Sequence, residues 1–164
     1  MQEIQINLDS FSLEEQAKIG ILLKIAKKFN EDHIIWALGG SLMLRFKGLN
    51  VSFNDIDIII GEESINFVEK SMNIIGEKLP ERDKGIYSSL FFDEYKIENC
   101  DVDVMSEVSL VGSEYVLSLK REDIDCYLEI NDVRVPLHSL RRWRELYVAI
   151  GRPDKIKIID DFTK

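Results

Sequence analysis

The stretch Asp55-Ile56-Asp57-Ile58-Ile59-Ile60, closed by Gly61, constrains the fold of this chain more than any other. Its β-branched residues favour extended backbone, and an unbroken apolar run needs cover on both faces, as in a central sheet strand. Residues i and i+2 of a strand face the same way, so Asp55 and Asp57 project side by side. Their Cα atoms would stand about 6.5–7 Å apart. Two carboxylates at the mouth of a buried strand repel one another and are costly to desolvate. A divalent cation relieves both costs, and oxygen ligands select Mg²⁺ or Mn²⁺. The plainer alternative is a polar strand end that faces water.

The elements around this strand alternate. Ser12-Leu13-Glu14-Glu15 has the form of a capping box. Leu13, Ala17, Ile21, Leu22, Ile25 and Phe29 then follow at helical spacing, with Asn30 as a stop. His33–Leu38 reads as a short buried strand running into Gly39-Gly40-Ser41, and Leu42–Phe46 as the start of a helix. Ser64–Leu79 reads as a helix with Ile65, Val68, Met72 and Ile75 on one face, ended by Pro80. Gly85–Asp93 and Tyr95–Met105 read as an antiparallel pair turning at Asp93-Glu94. Asp125–Val135 holds a hairpin with Asn131-Asp132 as its turn. Leu140–Ile150 is helical, Gly151-Arg152-Pro153 breaks it, and a short charged tail follows. The order αβαβαβββα predicts a mixed sheet with helices, in the α/β or α+β class.

Two further features sit beside the Asp55–Asp57 pair. A strand that ends in Gly39-Gly40-Ser41 and starts a helix lets a ligand approach the backbone closely. The free N–H groups of the helix start and the Ser41 hydroxyl then suit an anion, although a tight strand-to-helix turn explains the glycines equally well. Downstream, Asp101-Val102-Asp103-Val104-Met105 places another carboxylate in an apolar strand. A third carboxylate on a neighbouring strand would complete a two-metal site for in-line displacement at phosphorus. Asp101 and Asp103 share one face, so alternation cannot choose between them; Asp103 lies deeper in apolar sequence.

The pattern Gly39-Gly40-Ser41, thirteen residues, Asp55-x-Asp57, then an apolar-Asp-apolar strand resembles the DNA polymerase β-like nucleotidyltransferase superfamily. The likeness is greatest to its small prokaryotic members, the minimal and the antibiotic nucleotidyltransferases. The motif core spans 33–105, and a weaker echo covers 133–164, including Gly151-Arg152-Pro153. The resemblance implies a single domain over 1–164, with a C-terminal helical segment at 137–164. It implies a twisted mixed sheet with helices packed mainly on one face. Gly39, Gly40 and Ser41 would hold the triphosphate of an NTP such as ATP. Asp55 and Asp57 would bind both Mg²⁺ (or Mn²⁺) ions, and Asp103 would be the third carboxylate, metal-binding and catalytic. The implied reaction transfers an NMP group to an acceptor hydroxyl with release of pyrophosphate. Some small relatives belong to toxin–antitoxin systems, so the alternative function is an antitoxin or regulatory module that binds or modifies a small helical partner protein. The chain lacks the large helical substrate domain expected of antibiotic-modifying enzymes, which would leave the acceptor site to a second subunit or absent.

Composition narrows the partners. Twenty-one basic against 30 acidic residues give a net charge of −9, which opposes broad binding to nucleic acid or an anionic membrane. The N-terminus lacks the basic and apolar regions of a signal peptide, and no apolar run approaches the roughly 20 residues of a membrane span. Cys100 and Cys126 show no metal-ligand spacing and read as core or half-buried thiols of a reducing, cytoplasmic compartment. His33 and His138 show no ligand spacing either. Trp143 reads as helix packing rather than a base-stacking platform, and Arg141, Arg142 and Arg144 as a solvated or salt-bridged face, with contact to phosphates the alternative. Arg152 either caps a helix end or reaches the nucleotide. Glu62-Glu63 suits the positive end of a helix.

Overall fold

Ser12 opens the first helix, α1 (Leu13–Glu31), through the expected capping box. Its Oγ accepts from Glu15 N at 3.1 Å, and Glu15 Oε1 accepts from Ser12 N at 2.9 Å. In this computed structural model, which describes all 164 residues, the buried face of α1 is Ile19, Ile21, Leu22, Ile25, Ala26 and Phe29. Leu13 and Ala17 are exposed, against expectation. Polar contacts turn them out: Glu15 is bound to Arg45 (2.8 Å), and Gln16 donates to the Leu8 and Phe11 carbonyls, so these two side chains face the body.

Ten strands follow the chain: β1 (Gln2–Glu3), β2 (Trp36–Gly39), β3 (Ile56–Ile60), β4 (Glu77–Lys78), β5 (Phe91–Ile97), β6 (Cys100–Ser106), β7 (Val108–Ser109), β8 (Val116–Leu117), β9 (Ile124–Ile130) and β10 (Val133–His138). Eight form one mixed sheet in the order β1-β9-β10-β2-β3-β6-β5-β4; β7 and β8 pair separately. β3 lies near its middle, antiparallel to β2 and parallel to β6. Ile56, Ile58, Ile59 and Ile60 are completely buried, as the isoleucine run requires. The remaining helices are α2 (Gly40–Phe46), α3 (Ile65–Ile75), α4 (Leu140–Ile150) and α5 (Pro153–Phe162). This is the mixed α/β architecture that the alternation of elements predicts.

Several boundaries differ from expectation for physical reasons. His33 has φ +57 and cannot join a strand ladder, so β2 starts at Trp36. α3 stops at Gly76 rather than at Pro80, because Ile97 of β5 packs where a Cβ on residue 76 would lie, 2.6 Å from its Cγ1. The turn expected at Asp93-Glu94 is the middle of β5; the chain reverses at Glu98-Asn99, with Glu98 at φ +53. Asp93 and Glu94 tolerate that place because cations meet them: Lys78 at 3.3 Å from Asp93, and Arg82 and Lys84 at 2.7 and 3.4 Å from Glu94. Asn131 and Asp132 form the expected turn, both with positive φ, 53° and 65°. The charged tail is a helix: Pro153 occupies the first turn of α5, and a forked Arg144–Asp160 pair (2.6 and 2.9 Å) ties α5 to α4. Both cysteines are free and buried, and burial pushes each thiol up to about 11. No helix is long and apolar enough to cross a membrane.

Candidate functional site

Strand pairing assembles the site. Gly39 at the end of β2 pairs with Asp57, and Asp57 pairs in turn with Asp103 of β6. Glu94 of β5 stands on the other side of Asp103. Laterally paired residues share a sheet face, so Asp57, Asp103 and Glu94 form one row of carboxylates. Glu94 is neutralised by the forked Arg82 guanidinium and by Lys84. Asp57 and Asp103 have no such partner. Burial first, and Asp55 second, push Asp57 up to about 6. Burial first, then Asp57, Glu94 and Asp55, push Asp103 up to about 7. Asp55 lies one residue before β3, and its carboxyl is also raised, by desolvation and then by Asp101.

Asp101 takes a different place from Asp103. It is paired across the hairpin with Lys96 at 3.3 Å, and its side chain is 52% exposed. Asp103 is the one of the two that lies directly beside Asp57.

The glycines of the turn are set by close contacts. A Cβ on Gly39 would stand 2.1 Å from Cζ2 of Trp143, which lies against the backbone there. Gly40 has φ +63, and a Cβ on it would stand 2.1 Å from Oδ2 of Asp57. The backbone at the turn thus presses against the carboxylate row. α2 has only seven residues, so its end dipole is a small contribution. Beside it, Ser41 Oγ accepts from Lys155 Nζ at 2.9 Å, which adds a full positive charge at the turn.

Ser41, Asp55, Asp57, Asp103 and Lys155 line a cleft of about 930 Å³ that also includes Arg82, Lys84, Tyr87, Tyr147 and Arg152 in its walls; Gly39 and Gly40 are not among its lining residues. Arg152 makes no side-chain cap on α5; it forks onto Asp154 at 3.1–3.2 Å. Sequence reasoning missed Lys155, Arg82, Lys84 and the two tyrosines. Lys155 and Tyr147 carried a signal, since both fall in the closing segment 133–164 that resembles small nucleotidyltransferases. Other residues serve the fold. Trp143 is buried among His138 and Tyr147. Arg141 pairs with Glu145, and Arg142 with Asp123 and Glu145. His138 is fully buried, with Nε2 at 3.0 Å from the Ser118 carbonyl.

No group of three His, Cys, Asp or Glu side chains is gathered tightly enough to cage a metal by itself. Mg²⁺ seldom needs such a cage; one or two carboxylates, substrate phosphates and water usually hold it. Asp57 and Asp103, adjacent, oxygen-only and unpaired, fit that mode, with Asp55 at the rim.

No protein-family model matches the sequence, and no curated protein matches it significantly. Solved structures do match the fold. TM1012 of Thermotoga maritima, a protein assigned as a nucleotidyltransferase, superposes with a TM-score of 0.67 at 20% identity, over 93% of this chain and 95% of that one. The antibiotic-resistance factor ANT(2'')-Ia, in complex with adenylyl-2''-tobramycin, gives 0.61 at 15% identity over 90% of each chain. The lincosamide antibiotic adenylyltransferase LnuA, with lincomycin bound, gives 0.55 at 16% identity over 86% of this chain and 95% of that one. The chain therefore has the nucleotidyltransferase fold. The coverage also corrects one expectation: two antibiotic-binding structures of this fold are spanned almost whole, so the lack of an added helical domain does not set this chain apart from them.

Proposed function

We propose that the whole chain, 1–164, acts as one nucleotidyltransferase domain that moves an NMP group from an NTP to an acceptor hydroxyl and releases pyrophosphate. One observation carries this reading: Asp57 and Asp103 stand side by side on neighbouring strands in the lining of a cleft, in register with Gly39 of the next strand, and the cationic Lys155–Ser41 pair lines the same cleft. Adenylyl-2''-tobramycin in one neighbour and the adenylyltransferase activity named for another favour ATP as the donor.

In this reading the Gly39-Gly40 backbone lets the triphosphate approach, while Ser41 Oγ and Lys155 Nζ bind its oxygens. Asp55, Asp57 and Asp103 supply the negative oxygens for Mg²⁺ or Mn²⁺. When bound, such ions offset the charge on the phosphates and lower the pKa of an attacking oxygen. The rigid pairing of β2, β3 and β6 holds the carboxylates in place before substrate arrives, so little reorganisation is needed at reaction. Mg-NTP should stabilise the protein by about 2.7 kcal/mol at a hundredfold excess over Kd. Thermal melts with each NTP, with and without Mg²⁺, measure this. No shift with any of the four NTPs overturns the reading.

A further inference from the structure

Four hydroxyl side chains line the cleft: Ser41, Ser52, Tyr87 and Tyr147. Ser41 is engaged by Lys155, and Tyr147 is locked in α4 with 5% exposure. Ser52 lies in the loop before β3, on the Asp55 side of the cleft. Tyr87 is placed differently. Its segment is pinned to the β6–β8 region by Ser88 N to Ser109 O (2.9 Å), Val111 N to Ile86 O (2.8 Å) and Leu90 N to Glu107 O (3.2 Å). Ile86, Ser88 and Leu90 point to solvent, whereas Tyr87 turns inward. Its ring meets Phe92 edge to face, with centroids 5.5 Å apart. Phe92 pairs with Met105, which shares a face with Asp103 one step along β6. Phe92 thus stands about 6.5–7 Å along the strand direction from the Asp103 level, on the carboxylate face, and the Tyr87 ring packs against it in the same cleft. Burial, Asp57 and Asp103 all raise its pKa and Arg152 lowers it, so the hydroxyl lies in the field of the whole centre. Tyr115 donates its hydroxyl to the Arg142 carbonyl at 2.6 Å; Tyr87 makes no side-chain hydrogen bond.

We propose that Tyr87 is a site of self-nucleotidylylation: its phenolic oxygen occupies the acceptor side of the cleft and receives the NMP group when no external acceptor is present. This rests on the nucleotidyltransferase reading above. In the step, a bond forms between Tyr87 Oη and the α-phosphorus. The bond from that phosphorus to the bridging oxygen breaks, and pyrophosphate leaves with the electron pair. The phenolic O–H bond breaks and water takes the proton. The product is a phosphodiester between tyrosine and the nucleoside. A phenol is a competent acceptor once metal ions offset the charge of the attacked phosphate. Because the ring is already in place, the intramolecular reaction needs no second encounter.

The experiment is intact-mass and peptide mass spectrometry of the purified full-length chain after incubation with MgATP and the other three Mg-NTPs, with parallel thermal melts. The expected result is a gain of one NMP group, mapped to Tyr87, at a rate independent of protein concentration. Tyr87→Phe keeps the Phe92 packing and should still melt higher with Mg-NTP, yet gain no mass. Asp103→Asn should also gain none. A wild-type protein that melts higher with Mg-NTP but gains no mass overturns the self-modification and leaves the nucleotide site standing. The same holds if the group maps to Ser52 or another residue, or persists in Tyr87→Phe. Absence of both the melt shift and the mass gain overturns both proposals.

Discussion

Lys155 and Ser41, 114 residues apart in the chain, meet at the edge of the cleft, where the ammonium donates to the hydroxyl oxygen at 2.9 Å. The contact joins the first turn of α5 to the first turn of α2, and it places a cation beside Gly40. Burial and then Arg152 lower the Lys155 pKa, while Asp154 and Asp57 oppose them. An incoming polyphosphate would replace part of the lost solvation. A hydrogen bond to a charged group is worth about 1.5–3 kcal/mol, so Lys155→Met should raise KM for the NTP by about 10- to 100-fold. Steady-state kinetics measures this. Lys155→Arg should recover part of the loss, and an unchanged KM in Lys155→Met removes this residue from the phosphate path.

Gly39 and Gly40 should fail on substitution in different ways. Alanine at 39 drives a methyl group into the Trp143 ring, 2.1 Å from Cζ2. Overpacking of this kind costs about 1–3 kcal/mol. Trp143→Leu in the same chain should return much of that stability, since it removes the obstructing ring. Alanine at 40 adds about 1–2 kcal/mol of left-handed strain, from φ +63, and also meets Asp57 Oδ2. It should therefore abolish transfer, and Trp143→Leu should not rescue it. Urea unfolding and pyrophosphate release, measured on both pairs, separate the two effects.

How much of this was legible in the sequence depended on how local the cause was. The isoleucine run, the Ser12–Glu15 capping box and the Asn131-Asp132 turn are each decided by a few adjacent residues, and all three stand where the sequence places them. The fold class followed from their order. The hairpin of β5 and β6 was misplaced because Asp93 and Glu94 look like a turn until Lys78, Arg82 and Lys84 are brought to them by the tertiary fold. The α3 end was misplaced because a packing contact with Ile97 stops it before the proline does. Of the site, the carboxylates were visible as motifs, but alternation alone could not separate Asp101 from Asp103. The register of β3 against β6 places one of them beside Asp57. Tyr87 was silent because nothing in its own neighbourhood marks it, and Lys155 was marked only by the closing segment it falls in; the tertiary fold brings both to the cleft.

Asp57 and Asp103 should cost the unliganded protein stability as pH rises from about 4 to about 7, against an opposite contribution from His138, whose burial lowers its pKa. An unfolded aspartate titrates near 3.9. In the folded chain Asp57 is pushed up to about 6 and Asp103 to about 7, by burial first and by neighbouring carboxylates second. Between those limits the folded state holds protons that the unfolded state has released. Their contribution to stability therefore falls with rising pH in this window and levels off above it. The two groups interact, so the steps belong to the pair. Thermal melts across pH in EDTA should show the decline, and Asp57→Asn or Asp103→Asn should flatten it and raise the melting temperature near neutrality. Excess Mg²⁺ with NTP should reverse the decline in the wild type alone. A variant-minus-wild-type difference in melting temperature that does not grow through this window contradicts the buried, unpaired state of the carboxylates.

The sharpest test of the site compares Asp101→Asn with Asp103→Asn. The two side chains share a sheet face and differ by one step along β6. That step is about 6.5–7 Å, far more than metal–oxygen bonds near 2.1 Å tolerate. Asp101 pairs with Lys96 at 3.3 Å at an exposed site, a contact worth about 0.2–1 kcal/mol. Asp101→Asn should thus cost no more than about that in stability. Its charge also raises the Asp55 pKa, so its removal should lower that pKa and leave Asp55 more readily ionised. Transfer by Asp101→Asn should stay close to wild type, with an acid limb unchanged, because Asp57 and Asp103 titrate higher than the ordinary carboxylate range for causes that do not include Asp101. Asp103→Asn removes a carboxylate that lies in register with Asp57, and it should abolish transfer while the chain remains folded. A pH profile of pyrophosphate release for the two variants measures all of this. If Asp101→Asn loses transfer and Asp103→Asn retains it, the third carboxylate is Asp101 and the assignment made here from strand register is wrong.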